Sequence, residues 1–169
     1  MAIVEGWQGR FLEDFAAGDV YRCRYGRTIS DADNTQFTLL TNNTNQIHFN
    51  ADYAEKAGFG GILVNSLLTI SIVTGMSVAD VSENGVALGW SDIRLPNPVH
   101  PGDTLYSESE VVEVRESRSR PQQGIVTVKT RGLNQRGETV VEMQRSILVW
   151  KREFAPGLRL FPGANDTAG

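Results

Sequence analysis

Residues 57–79 read AGFGGILVNSLLTISIVTGMSVA, a stretch without one charged side chain in a chain where 21% of residues are charged. A run of this kind can be a membrane span, a pair of buried strands or a buried helix. Asn65, Ser66, Thr69, Ser71, Thr74 and Ser77 make it too polar to span a membrane, and no Lys/Arg cluster follows as an anchor. Ile62, Val64, Ile70, Ile72, Val73 and Val78 are β-branched and lean towards strand. Strands seldom exceed about ten residues, so length decides for helix. The reading is one long helix opened by Gly60 and Gly61 and closed by Asp80, about five turns at ~3.6 residues per turn. Apolar nearly all round, it has to be wrapped by protein on most sides.

The rest of the composition narrows the class. A chain of 169 residues is most simply one domain, large enough to bury about 70% of its unfolded surface. The net charge is −4 and the charges are scattered, which excludes the basic footprint of a nucleic-acid binder. Cys23 is the one cysteine, so there is no disulfide framework and a reducing compartment fits. The start, MAIVEGWQGRFLED, has an acid at Glu5 and no apolar core of a secretory signal, so a cytoplasmic location is expected. With His48 and His100 as the two histidines, no dedicated metal site is expected. Gly58-Phe59-Gly60-Gly61 lacks the spacing and the lysine of a phosphate-binding loop.

Read in order, residues 10–19 form an irregular lead-in closed by a Gly-Asp turn. Residues 20–25 alternate as a half-buried strand with Tyr21, Cys23 and Tyr25 on one face, so Cys23 reads as a core residue rather than a reactive thiol. Ser30 and Asp33 make a capping box for a short helix over 31–41, with Phe37 and Leu40 at helical spacing. TNNTN (41–45) ends it, and Asn50 caps a second short helix, ADYAEKA, closed by Gly58. Beyond residue 85 the texture turns to strands, at 86–95, 104–114, 125–133 and 139–150, with a Pro-rich break at 96–103. The arginines of the loop RESRSRPQQG (Arg115, Arg118, Arg120) read as a solvated charged loop, with contact to phosphates as the functional alternative. Successive strands with short connections predict an antiparallel meander. An antiparallel sheet of about five strands curled around the long helix buries both elements at once, which is the α+β hotdog architecture. One such domain is expected over residues 1–152, with a Gly/Pro-rich tail over 153–169.

Chemistry could sit at two places. His48 lies among uncharged polar residues just before the central helix. Between Ile47 and Phe49 its imidazole would be partly desolvated and kept neutral, as a general base requires; the alternative is a histidine satisfied by backbone in a turn. His100, in PVHPGD, reads as a turn residue. The N–H groups at the start of the central helix, near Gly61 to Ser66, offer unsatisfied donors backed by the helix dipole, a geometry that can hold an oxyanion. Asn65, Ser66 and Thr74 are polar groups on an otherwise apolar helix, and buried ones need partners.

TISDADNTQFTLLTNNTNQIHFNADYAEKAGFGGILVNSLL resembles the signature region of the MaoC-like dehydratases, the (R)-specific enoyl-CoA hydratases, and IRLPNPVHPGDTL resembles that family's Pro-Val-x-x-Gly-Asp strand entry. The resemblance covers about residues 20–150. It implies a hotdog fold and the reversible hydration of a 2-enoyl-CoA to a 3-hydroxyacyl-CoA. It also implies no metal or redox cofactor, coenzyme A being part of the substrate, and a homodimer or higher homo-oligomer with sites near the subunit interface. By position, His48 matches the catalytic histidine and Asn43 takes the place of the catalytic aspartate. Asn45 matches the motif asparagine, Ser66 stands for the glycine whose N–H forms the oxyanion hole, and Thr74 falls at the helix serine. Asn65 replaces a histidine and Gln46 a proline. The pattern NTNQIHFN followed by VNSLL is similar to the branch that includes mesaconyl-CoA hydratases, which points to a branched, dicarboxylic acyl group. Because the Asn43 amide cannot accept a proton at neutral pH, a non-catalytic acyl-CoA-binding or partner subunit is one alternative, and a hotdog acyl-CoA thioesterase another.

Overall fold

In the computed structural model, Val4 and residues 6–156 are described. The tail expected over 153–169 lies outside the described residues from 157 on.

The chain forms strands β1 (Val20–Arg22) and β2 (Arg27–Thr28), then helices α1 (Asp31–Leu40), α2 (Ala51–Lys56), α3 (Ser66–Met76) and α4 (Val78–Val81). Strands β3 (Gly85–Arg94), β4 (Thr104–Glu116), β5 (Gln123–Leu133) and β6 (Thr139–Trp150) complete it. The sheet order is β1-β4-β5-β6-β3 with β2 added to β4, and every pairing is antiparallel. α3 lies on β4, β5 and β6. This is a hotdog: a helix held in a curled antiparallel sheet.

Three expectations need correction. The central helix is three turns rather than five. Gly58, Gly60 and Gly61 have φ of +81°, +69° and +130°, outside the helical region. After them the backbone runs extended: the Leu63 N–H donates to the Ile47 carbonyl at 3.0 Å and the Val64 N–H to the Val99 carbonyl at 2.8 Å. Asn65 then caps α3, its side chain accepting from the Leu67 N–H. Nor is α3 wrapped all round, since Ser66, Leu67, Ser71 and Gly75 are exposed.

The meander is also incomplete. β4, β5 and β6 follow one another as expected, but β3 pairs with β6 at the far end of the sheet. Pro96, Pro98 and Pro101 cannot donate to a ladder, and Gly102 turns with φ +95°. The 96–103 segment therefore carries the chain across the fold rather than back along β3.

The third correction concerns the first strand, which ends at Arg22. Cys23 is half-buried against the core, but Tyr25 is exposed. β2, two residues long, is too short for alternation to reveal. The lead-in contributes more than expected: Phe11, Leu12 and Phe15 are buried. Arg115, Arg118 and Arg120 are exposed. No helix among the described residues is long and apolar enough to cross a membrane.

Among the described residues the interior has two apolar clusters. Leu68, Ile72, Val73 and Met76 of α3 pack with Leu105, Val141 and Met143, while Leu12, Phe15 and Val81 pack with Val126, Val128 and Ile147. Between Met143 and Ile147 on the inner face of β6 lies Arg145, 2% exposed. Its guanidinium donates to Ser77 Oγ at 2.7 Å and Thr130 Oγ1 at 3.1 Å, and Thr130 also bonds Ser109. Burial pushes the Arg145 guanidinium down to about 10, which leaves it a cation at neutral pH. The Ser77 hydroxyl it contacts donates to the Thr74 carbonyl, so the cation faces the negative end of α3.

At Gly132 of β5 a Cβ would stand 2.5 Å from Val73 Cγ2 and 2.8 Å from Val141 Cγ1. Gly132→Val raises strand propensity, yet it should lower stability by about 1–3 kcal/mol through overpacking. Urea unfolding checks this, and an unchanged midpoint would contradict the close approach.

Asp103 anchors the turn after the prolines. Burial alone would raise its carboxyl, but hydrogen bonds from the His100 N–H, Gln135 and Arg136 hold it below the usual range. A lowered native value stabilises above the unfolded value of about 3.9, and that stabilisation disappears as pH falls through the native value. Asp103→Asn should therefore be less stable than the parent at neutral pH, with the gap narrowing below about pH 4. Thermal unfolding across acid pH reads this out.

Candidate functional site

The site is built where α1, the turn at residues 42–48 and the start of α3 meet. α1 is closed by Asn42 in the left-handed region, φ +51°, and the Asn43 N–H reaches back to the Thr38 carbonyl at 3.1 Å. The chain then steps through Asx contacts: Asn43 Oδ1 accepts from the Asn45 N–H at 3.0 Å, and Asn45 Oδ1 caps the short 3₁₀ turn Gln46–His48. That turn delivers His48 to the interior, 8% exposed.

His48 Nδ1 lies 3.0 Å from the Leu63 carbonyl. A carbonyl only accepts, so Nδ1 carries the proton, and Nε2 is the basic nitrogen of the neutral ring. His100 makes the same contact one residue earlier, its Nδ1 3.0 Å from the Ile62 carbonyl. Both imidazoles thus hold the extended segment that leads into α3.

At the start of α3, Asn65 is buried and its Oδ1 accepts from the Leu67 N–H. The Ser66 N–H, first in the helix, has no acceptor among the described residues. It sits at the positive end of α3, where an N–H without an acceptor can bind an anionic or polarised oxygen, and Ser66 as a residue is exposed. Two other polar atoms here are buried without partners: Asn65 Nδ2 and Thr38 Oγ1. Thr38 and Asn43 also line a cavity of about 390 Å³ with Asn42, Leu39 and Phe49.

The fold therefore brings Asn43, Asn45, His48, Asn65 and Ser66 into one region. It leaves Thr74 apart, eight residues or ~12 Å along the helix from Ser66 at 1.5 Å per residue, with its hydroxyl 3.8 Å from Met143 Sδ.

Sequence reasoning missed Asn34. Its amide nitrogen donates to the His48 carbonyl at 2.9 Å and the Leu63 carbonyl at 3.2 Å, and its oxygen accepts from the Asn65 N–H at 2.8 Å. The buried residues of α1 are Asn34 and Thr38, four apart on one face. Of the apolar residues of α1, Phe37 packs against the core, whereas Leu39 and Leu40 are 72% and 81% exposed. The usable signal in the sequence is the pair of polar residues, Asn34 and Thr38, at helical spacing. Among the described residues no cluster of three or more His, Cys, Asp or Glu could hold a metal.

The family described as mesaconyl-CoA hydratase matches residues 5–157. The mesaconyl-CoA hydratase of Cereibacter sphaeroides is 36% identical over 148 residues, which cover 87% of this chain and 43% of that protein. A solved MaoC domain protein from Chloroflexus aurantiacus superposes with a TM-score of 0.84 at 32% identity, over 95% of this chain and 46% of the other. A Mycobacterium tuberculosis protein with a double hotdog fold superposes with a TM-score of 0.78 over 92% of this chain and 47% of its own, at 21% identity, a likeness of fold. The chain thus spans less than half the length of these proteins. Matched along nearly its whole length, it belongs to the mesaconyl-CoA hydratase family.

Proposed function

We propose that this chain is an acyl-CoA hydratase unit that reversibly adds water to a 2-enoyl-CoA thioester, with mesaconyl-CoA as the favoured substrate. The observation that carries the reading is His48, whose Nδ1–H is committed to the Leu63 carbonyl, leaving Nε2 as a base close to a helix start with a free N–H at Ser66.

In the hydration direction Nε2 removes a proton from water as its oxygen attacks the β-carbon. The Ser66 N–H holds the thioester oxygen as enolate charge gathers there. The imidazolium then returns the proton to the α-carbon, so the elements of one water are added. The Asn43 oxygen already accepts from the Asn45 N–H, so its NH₂ is the part left to orient the water. Asn65 completes the cap behind Ser66, and Asn45 sets the turn that presents His48. Positioned acid–base groups contribute about 10²–10⁴-fold and one oxyanion donor about 10²–10³-fold. The reaction needs no metal or redox cofactor, and coenzyme A enters as part of the substrate. A cytoplasmic location fits the lone cysteine.

A second copy of the chain supplies the other half of the assembly in this reading. β3 ends the sheet, and Val86, Leu88 and Trp90 on it are about half exposed. An apolar edge of this kind invites pairing. A homodimer would match the length of relatives that are more than twice as long. Trp90→Glu should convert dimer to monomer in light-scattering measurements; a wild-type chain that is monomeric at micromolar concentration would refute the pairing.

One rival has an observation of its own. Asn43 cannot carry a proton, which favours a non-catalytic acyl-CoA-binding subunit. Turnover decides between them. Purified protein should hydrate mesaconyl-CoA faster than straight-chain enoyl-CoA thioesters, and His48→Ala should lower the rate by about 10²–10⁴-fold. Tight thioester binding without hydration across the panel would favour the binding subunit.

A further inference from the structure

We propose that Asn34 is a positioning residue that ties the general base to the oxyanion donor, so that one buried amide sets both halves of the active site. The inference rests on the hydratase reading of His48 and Ser66.

Asn34 is 1% exposed, and its side-chain hydrogen bonds go to the backbone of two segments, the turn at His48 and the extended run that holds Leu63 and Asn65. These bonds bridge 14, 29 and 31 positions in the sequence, so none is a local turn or cap. Toward the base, it grips the carbonyl of His48 itself. It also shares the Leu63 carbonyl with the imidazole, so the oxygen that fixes the His48 tautomer is itself fixed by Asn34. Toward the donor, it receives the N–H of Asn65, the residue that caps α3 and precedes Ser66.

Only an amide meets these demands in this space. It offers two donors for two carbonyls and one acceptor for an N–H. Aspartate keeps the acceptor but sets a carboxylate against two carbonyl oxygens. Leucine fills the volume and satisfies none of the three. With the amide gone, the Leu63 carbonyl can turn from the ring, the neutral imidazole can place its proton on either nitrogen, and the cap ahead of Ser66 loses its anchor. A misplacement of about 1 Å costs on the order of 10²-fold in rate. The loss falls on the chemical step, so affinity for the thioester is expected to stay largely as it was.

The test uses full-length Asn34→Leu, Asn34→Asp and the milder Asn34→Ser, which can be read if the first two fail to fold. The chain has two histidines, so ¹⁵N imidazole spectra assign readily against His48→Ala. In the parent, neutral His48 should be locked as the Nδ1–H tautomer. In the variants an Nε2–H population should appear, and kcat on mesaconyl-CoA should fall about 10²-fold. Affinity for a saturated acyl-CoA analogue should stay within about threefold, well under that loss. A variant that melts earlier but keeps the parental tautomer and kcat would make Asn34 a structural residue only and overturn the proposal. If the parent hydrates no thioester while the tautomer still shifts in the variants, the hydratase reading fails and the Asn34 linkage stands.

Discussion

Val73 of α3 rests directly on the backbone of β5 because Gly132 has no side chain to hold it off. That contact sets how closely α3 sits on the sheet. With the helix pressed onto the sheet, Leu68, Ile72 and Met76 enter the same cluster as Leu105, Val141 and Met143. The axis of α3 is then fixed, and so is the point where its first turn opens. The extended residues 62–65 must reach that point, and they do so by bonding Ile47 on one side and Val99 on the other. The turn that carries His48 and the Pro-rich crossover are thus gathered around the helix start by a packing constraint some two turns away.

The sequence declares the local structure well and the long-range structure poorly. Ser30 with Asp33, and Asn50 ahead of α2, announce their helices because capping is a matter of a few adjacent groups. β4, β5 and β6 are legible for the same reason: alternation and a short turn are local. β3 is legible as a strand as well, but nothing in 85–94 says that its partners lie 48 to 64 positions ahead in β6. The start of the central helix was misread because hydropathy is blind to φ. Gly58, Gly60 and Gly61 sit in an uncharged run yet cannot be helical, and Asn65 marked the true start.

Within the site, the residues that meet substrate in the hydratase reading were legible through a familiar motif, whereas their support was not. His48, Asn43 and Ser66 stand at positions that a family pattern reveals. Asn34 looks like an ordinary surface residue of a short helix. Its importance comes from three backbone partners that only the folded chain brings within reach. Thr74 shows the converse. It matches a family position, but its hydroxyl meets Met143 sulfur further along the helix.

Arg145 divides the interior with a polar layer of guanidinium and hydroxyl groups running from Ser109 through Thr130 to Ser77. Apolar side chains on either side of that layer share few neighbours, so changes in one half are felt weakly in the other. The cluster behind α3 lies next to the site, and the cluster behind Phe15 and Val81 lies away from it. A divided interior lets a substitution in the half that holds Phe15 and Val81 leave the packing behind α3 largely as it is.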